Sequence, residues 1–194
     1  MMQTGTQRGL MAVNYAIDSA ASRFTVQAFA TGLLSSFGHN PTISIRDFSG
    51  EIQCVPRTYE KAFVRVTVRT GTMEVLDEMK SDDRAKLEKT MYEEVLEIQR
   101  FPEAVYESKQ MSVEKLSNEL LLASVQGELS FHGVTQSQSL DARVTDMGTM
   151  LRVSGEFSLR QSDYAIKPFS FAGGALRLKD ELKFSFELVA RQQE

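Results

Sequence analysis

The chain has 194 residues, of which 42% are hydrophobic and 25% charged, and its formal net charge is −4. This length and composition predict one soluble globular domain with a substantial core. The acidic balance disfavours nucleic acid as a partner, and no apolar run is long enough to span a bilayer.

Residues 1–12 contain no apolar stretch of the kind that an export signal requires. We therefore expect a flexible N-terminal segment over 1–12, a folded domain over 13–194 and a cytoplasmic location.

Strand patterns dominate the first part of the domain. Apolar and polar residues alternate over 23–30, 43–55 and 62–69, which is typical of half-buried strands. The parity of the apolar positions changes near Asp47, which predicts a bulge or a bend. Residues 31–41 are rich in glycine, serine and proline and predict a loop. This loop nevertheless carries several large apolar side chains, so we expect it to pack against the barrel end, a partner or a ligand.

One segment has helical periodicity. Leu87, Met91 and Val95 recur every four residues and predict the apolar stripe of an amphipathic helix. The cluster at residues 81–83 offers an N-cap and acidic charge for the helix dipole. Arg84 and Glu88 are spaced to form an ion pair on the solvated face.

The second half of the domain returns to strands, over 105–113, 121–131, 140–144, 151–159 and 182–188. His132 to Thr135 interrupt the alternation and predict the connection of a β-hairpin. Residues 160–166 predict a polar turn, and residues 167–178 predict a second, partly apolar loop.

About eight strands, one helix and no βα repeat predict a mainly β fold, an antiparallel barrel or sandwich with one amphipathic helix between strands. An eight-stranded barrel either is packed solid or holds one apolar ligand. Several small residues are predicted to point inward and are expected to leave room for a ligand: Ala28, Gly50, Ala62, Ala123, Gly127 and Gly155.

Few residues offer chemistry. His39 and His132 are the only histidines and Cys54 is the only cysteine, and their wide spacing disfavours a metal site. The chain has no nucleophile elbow, phosphate loop or dinucleotide fingerprint. We therefore predict no catalytic residue, no cofactor and no metal. Cys54 is predicted to be a buried apolar residue, and His132 a turn residue whose ring hydrogen-bonds the backbone.

Four segments resemble one known family. They are Y-A-I-D-S-A-A-S-R-F at 15–24, R-F-P-E-A-V-Y-E-S at 100–108, V-Q-G-E-L-S-F-H-G-V-T at 125–135, and R-Q-S-D-Y-A-I at 160–166 followed by L-K-D-E-L-K-F-S-F-E-L. In this order they resemble the YceI-like family, lipocalin-like proteins that bind polyisoprenoid and other amphiphilic lipids. The resemblance implies an antiparallel barrel around a long apolar cavity, a helix over one side and no shared catalytic machinery. Ala21 and Ala165 depart from the family pattern, where histidine and glycine are usual.

The resemblance, together with the small residues predicted to point inward, predicts a non-enzymatic protein that binds or transports an isoprenoid or fatty-acyl lipid. His39 is expected to be a loop cap or a polar group that meets the lipid headgroup. The predicted ligand-binding residues are Phe24, Val26, Phe37, His39, Phe48, Ile52, Val64, Val66, Phe157, Phe184 and Phe186.

The alternative is an interaction or stress-response module with a filled barrel. It would use the loops 31–41 and 167–178 as a dimer or partner surface, through Leu33, Leu34, Phe37, Phe169 and Phe171.

Overall fold

A computed structural model describes residues 11–31, 40–59, 61–171 and 176–194. One α-helix, α1 (Ser81–Thr90), continues into a π-helical turn at Met91–Val95, and 3-10 turns lie at Ser19–Ala21, Thr70–Thr72 and Gln161–Tyr164. The strands are β1 (Val13–Ile17), β2 (Arg23–Thr31), β3 (Thr42–Ile45), β4 (Phe48–Cys54), β5 (Phe63–Arg69), β6 (Met73–Val75), β7 (Glu103–Lys115), β8 (Leu120–Phe131), β9 (Val134–Asp146), β10 (Met150–Arg160), β11 (Ser170–Phe171) and β12 (Leu176–Gln192).

Eight strands close an antiparallel barrel. Their order is β1–β4–β5–β7–β8–β9–β10–β12, and β12 returns to pair with β1. Closure gives each of these strands a partner on both sides, and the alternation of apolar and polar residues turns one face of each strand inward. The predicted barrel with one helix is confirmed.

A flap of three strands extends one side of the barrel, in the order β2–β3–β6. It exists because three long strands are interrupted: the turn at Ser19–Ala21 separates β1 from β2, and that at Thr70–Thr72 separates β5 from β6. The third break falls between β3 and β4, where the parity change near Asp47 predicted a bend. β12 holds both sheets together, since its first part pairs with β2 and its last part with β1.

Helix α1 lies against the outer edge of β6. The carboxylate of Glu88 accepts a hydrogen bond from the Val75 amide at 3.0 Å, and the guanidinium of Arg84 donates to the Val75 carbonyl. The hydroxyl of Tyr92, in the π-helical turn, donates to the Met73 carbonyl. Side chains of the helix therefore satisfy the edge of β6 that no strand covers in the described part of the chain.

Two details of the predicted helix are wrong. Arg84 and Glu88 do not pair with each other on the solvated face, because both bind the backbone of β6. The N-cap is Lys80, whose side chain makes no capping bond. The apolar stripe is confirmed, and Leu87, Met91 and Val95 face the barrel interior.

The β8–β9 hairpin is tighter than the alternation predicted. His132 and Gly133 have φ angles of 50° and 77°, and Phe131 pairs directly with Val134. Two successive positive φ angles are characteristic of a two-residue type I′ turn. Strand β9 therefore begins at Val134 rather than near Leu140.

The inward glycines accommodate neighbouring side chains rather than a ligand. A Cβ atom on Gly127 would lie 2.6 Å from the Tyr106 ring, and one on Gly155 would lie 2.6 Å from the Phe186 ring. The expectation that these glycines leave room inside is wrong, because large side chains already occupy the space beside them.

Candidate functional site: the apolar barrel cavity

The barrel encloses a cavity of about 260 Å³. Side chains from the barrel strands, the flap and the helix line it, and apart from Tyr106, Gln138 and Gln161 all of them are apolar. A cavity with so few polar groups favours a ligand with a long apolar part.

Most of the predicted ligand-binding residues line this cavity: Phe24, Val26, Ile52, Val64, Val66, Phe157, Phe184 and Phe186. Phe48 does not. It is buried behind Phe24, with the two ring centroids 5.8 Å apart in an edge-to-face contact. Phe37 and His39 lie outside the described residues.

Aromatic rings build one region of the wall. Phe157 and Phe184 stack with their centroids 4.7 Å apart, and Phe24 lies 6.3 Å from both Phe184 and Phe186. Rings that pack on one another have few alternative rotamers. The ring contacts therefore restrain the shape of this region of the cavity.

The lining on β7 was missed by the sequence analysis. Tyr106 and Met111 both face the cavity although they are five residues apart, because the β7–β8 register shifts between Ser108 and Gln110. This β-bulge exchanges the inward and outward positions of β7. The loose alternation of residues 105–113 was its signal.

Three polar side chains reach the cavity, and each has a donor bound to a backbone carbonyl, that of Gln138 being Ser139 O at 3.0 Å. The Tyr106 hydroxyl donates to Gln138 O at 3.2 Å, and Gln161 Nε2 donates to Lys179 O at 2.9 Å. Burial raises the pKa of Tyr106 to about 12, so this hydroxyl is neutral at physiological pH. These groups can orient a ligand, but their protonation states do not suit acid–base catalysis.

His132 lies outside the cavity, at 8% exposure. Its Nδ1 is 3.2 Å from Tyr164 O, as the prediction of a ring bonded to the backbone requires. Its Nε2 is 3.1 Å from a carboxylate oxygen of Glu97, and its ring packs 4.3 Å from Phe101. Each ring nitrogen therefore lies beside an oxygen acceptor. His132 ties the hairpin turn to the segment that follows the helix.

Glu97 and Cys54 have pKa values shifted from their ordinary values. A hydrogen bond from Arg100 at 2.6 Å is the main cause that lowers the pKa of Glu97. Cys54 is buried, and that burial raises the pKa of its thiol. A thiol held neutral is a poor nucleophile, which agrees with the predicted apolar role.

No group of three potential metal ligands occurs among the described residues. In the same part of the chain, no helix is both long and apolar enough to cross a bilayer.

The comparisons with known proteins agree with this geometry. A family model described as the YceI-like domain matches residues 15–190. No curated protein matches the sequence.

Several solved structures share the fold. BcnA of Burkholderia cenocepacia is 14% identical, with a TM-score of 0.69 over 89% of this chain and 98% of its own. A polyisoprenoid binding domain from Saccharophagus degradans, implicated in plant cell wall breakdown, is 14% identical, with a TM-score of 0.68 over 93% and 99%. The YCEI protein of Campylobacter jejuni is 17% identical, with a TM-score of 0.62 over 81% and 88%.

Proposed function

This chain belongs to the YceI-like family, and we propose that it binds or carries an amphiphilic lipid of the isoprenoid or fatty-acyl type, without catalysis. The observation that carries the proposal is the barrel cavity with its almost wholly apolar lining. The polyisoprenoid binding domain from Saccharophagus degradans, which has the same fold, supports an isoprenoid chain as one candidate.

The cavity is long enough for an extended chain. Ala123 and Phe131, both on β8, line it eight residues apart. Eight residue steps of about 3.3 Å span ~26 Å along the strand. A barrel strand tilts by about 40°, so the cavity extends over ~20 Å along the barrel axis. A long alkyl or isoprenoid chain fits this shape better than a compact ligand.

The lining surface is available to a ligand. Val64, Val66, Val153 and Phe157 point inward but are only half-buried. Their remaining accessible surface faces the cavity. Covering that surface with a lipid chain stabilises the complex by about 0.8 kcal/mol for each methylene removed from water.

The test is a series of lipids that share one headgroup and differ in chain length, titrated against delipidated protein. The dissociation constant should fall about fourfold for each added methylene, until the chain exceeds the cavity. An affinity that does not change with chain length would contradict binding inside the barrel. Native mass spectrometry of freshly purified protein should in addition show a lipid that leaves on organic extraction.

The filled-barrel alternative has little support in the described residues. A filled barrel would have no cavity, whereas the barrel of this protein contains a cavity of about 260 Å³. Of the loop residues proposed for a partner surface, Phe169 lines the cavity. Leu33, Leu34 and Phe37 lie outside the described residues, as does the side chain of Phe171.

A further inference from the structure

The barrel wall opens between β9 and β10. Their ladder ends at the pair of Asp141 and Glu156, although β9 stays paired with β8 as far as Val134 and β10 with β12 as far as Arg160. On their facing sides, residues 134–140 and 157–160 therefore have no strand partner in the described part of the chain. Backbone N–H and C=O groups on such edges can bind polar groups.

This opening forms a pocket of about 340 Å³ in the outer wall, and most of the residues that line it have polar side chains. Residues 136–138 line one side and residues 158–160 the other, and Asp163, Tyr164 and Glu181 complete it. We refer to this pocket as the side window. Gln138 and Leu159 line both the side window and the apolar cavity, so the two spaces adjoin at these residues.

A rigid turn frames the side window. The 3-10 turn at Gln161–Tyr164 fills the gap above it, and Gln136 Nε2 donates to the Asp163 carbonyl at 3.1 Å. Tyr164 is 2% exposed and packs against Phe131. A polar group bound here would meet side chains that are already positioned.

The charges of the side window are unbalanced toward the negative. Arg160 is the only cation in its lining, and its Nε lies 3.0 Å from a carboxylate oxygen of Asp180. Asp163 and Glu181 also line the window, so one guanidinium faces three carboxylates. An anionic headgroup would be repelled here, whereas a donor such as a hydroxyl, amide or amine would find acceptors.

We propose that the side window holds the head of the lipid whose chain occupies the cavity, and that it selects a headgroup that donates hydrogen bonds and carries no negative charge. The inference rests on the proposed function, since it requires a chain in the cavity. It adds the chemical class of the ligand: an alcohol, a primary amide or an amine rather than a carboxylate or a phosphate.

The first experiment compares headgroups on one saturated alkyl chain at pH 7 and low salt. The alcohol, amide and amine should bind about tenfold more tightly than the carboxylate and the phosphate, a difference of about 1.4 kcal/mol. The double variant Asp163→Asn, Glu181→Gln should reduce this preference to about threefold or less. Glu187→Gln is the matched control, because Glu187 is exposed on β12 and does not line the window.

The outcomes separate the two proposals. If the chains bind but the headgroups are equivalent, or if the double variant keeps the full preference, the selection by the side window is refuted and lipid binding stands. If no chain binds with any headgroup, the proposed function fails, and this inference fails with it.

A second experiment locates the head. Ser158→Cys, in the side window, and Ser112→Cys, on the outer face of β7, can each carry a fluorophore because the native Cys54 is buried. A lipid with a nitroxide on its head should quench the label at residue 158 several times more strongly than the label at residue 112. Equal quenching at both positions would place the head elsewhere and overturn the assignment.

Discussion

Filling the cavity from within should make the protein more stable and a poorer lipid binder. Val153 is suited to this test, because it lies on β10, lines the cavity and is only half-buried. Val153→Phe adds about four carbon atoms, each worth ~0.8 kcal/mol when it is buried. The upper limit of the gain in the free energy of unfolding is therefore about 3 kcal/mol. A ring in this position would displace a comparable length of lipid chain, and the affinity for a long chain should fall roughly a hundredfold.

Urea unfolding of the delipidated protein measures the first effect, and competition against a fluorescent fatty-acyl ligand measures the second. Val189→Phe is the control. Val189 is 7% exposed and does not line the cavity, and its backbone is held by Asp18 and Ser22. Overpacking at this site should cost about 1–3 kcal/mol and leave lipid affinity unchanged. The reasoning is refuted if Val153→Phe loses as much stability as Val189→Phe and binds lipid normally.

Three further predictions test single contacts. Ala165→Gly should raise the free energy of unfolding by up to about 1 kcal/mol, because Ala165 has a left-handed φ of 56°; a loss of stability in urea would contradict this. Asp180→Asn should weaken the loss of stability at low pH. The hydrogen bond from the Ser162 hydroxyl is the main cause that lowers the pKa of Asp180 from its ordinary value of 3.8. The ionised Asp180 carboxylate therefore contributes to the free energy of unfolding above pH 3.8, and this contribution is lost as the pH falls through the lower pKa of the folded state. Unfolding measured from neutral to acidic pH checks it, and an unchanged profile would count against the bond. Glu88→Ala should cost about 1–2 kcal/mol and speed hydrogen exchange at the Val75 amide, which it leaves without its acceptor; unchanged exchange there would show that the carboxylate does not protect it.

Much of the barrel follows from the sequence because each inward strand face is a local pattern. Period-two alternation at Val64, Val66 and Val68, for example, identifies β5 without knowledge of its neighbours. The pairing partners of the strands could not be predicted in this way. β1 pairs with β12 from the other end of the domain, and no local pattern encodes that contact.

The cavity could be predicted only in part. Phe48 has the same inward parity as Ile52, yet Phe24 stands between its ring and the cavity. From the sequence, Gly127 was expected to leave room inside the barrel, whereas the Tyr106 ring occupies the space beside it. Whether an inward residue touches the cavity depends on how its neighbours pack, and parity alone does not contain that information.

At the side window, the sequence pattern itself marked the site. Gln136 and Gln138 occupy inward positions of β9, where alternation predicts apolar residues, and they blurred the start of that strand in the sequence. A polar residue at an inward position is a local inconsistency, and such inconsistencies concentrate at functional sites.

The pairing of β12 with β1 has a consequence for how the chain can be rearranged. Gln192 lies opposite Tyr15, and the Gln193 amide donates to Asn14 O at 2.8 Å, so the two ends of the domain are neighbours. A short linker could join them, and new termini could open in the exposed turn at Leu116, between β7 and β8. This circular permutant would keep every ladder. The three β12–β1 pairs would become a local hairpin, and the longer β7–β8 ladder would become the most distant in sequence. The permutant should therefore close its barrel more slowly than the natural order of strands allows, since more of its pairing is non-local and carries the larger entropy cost.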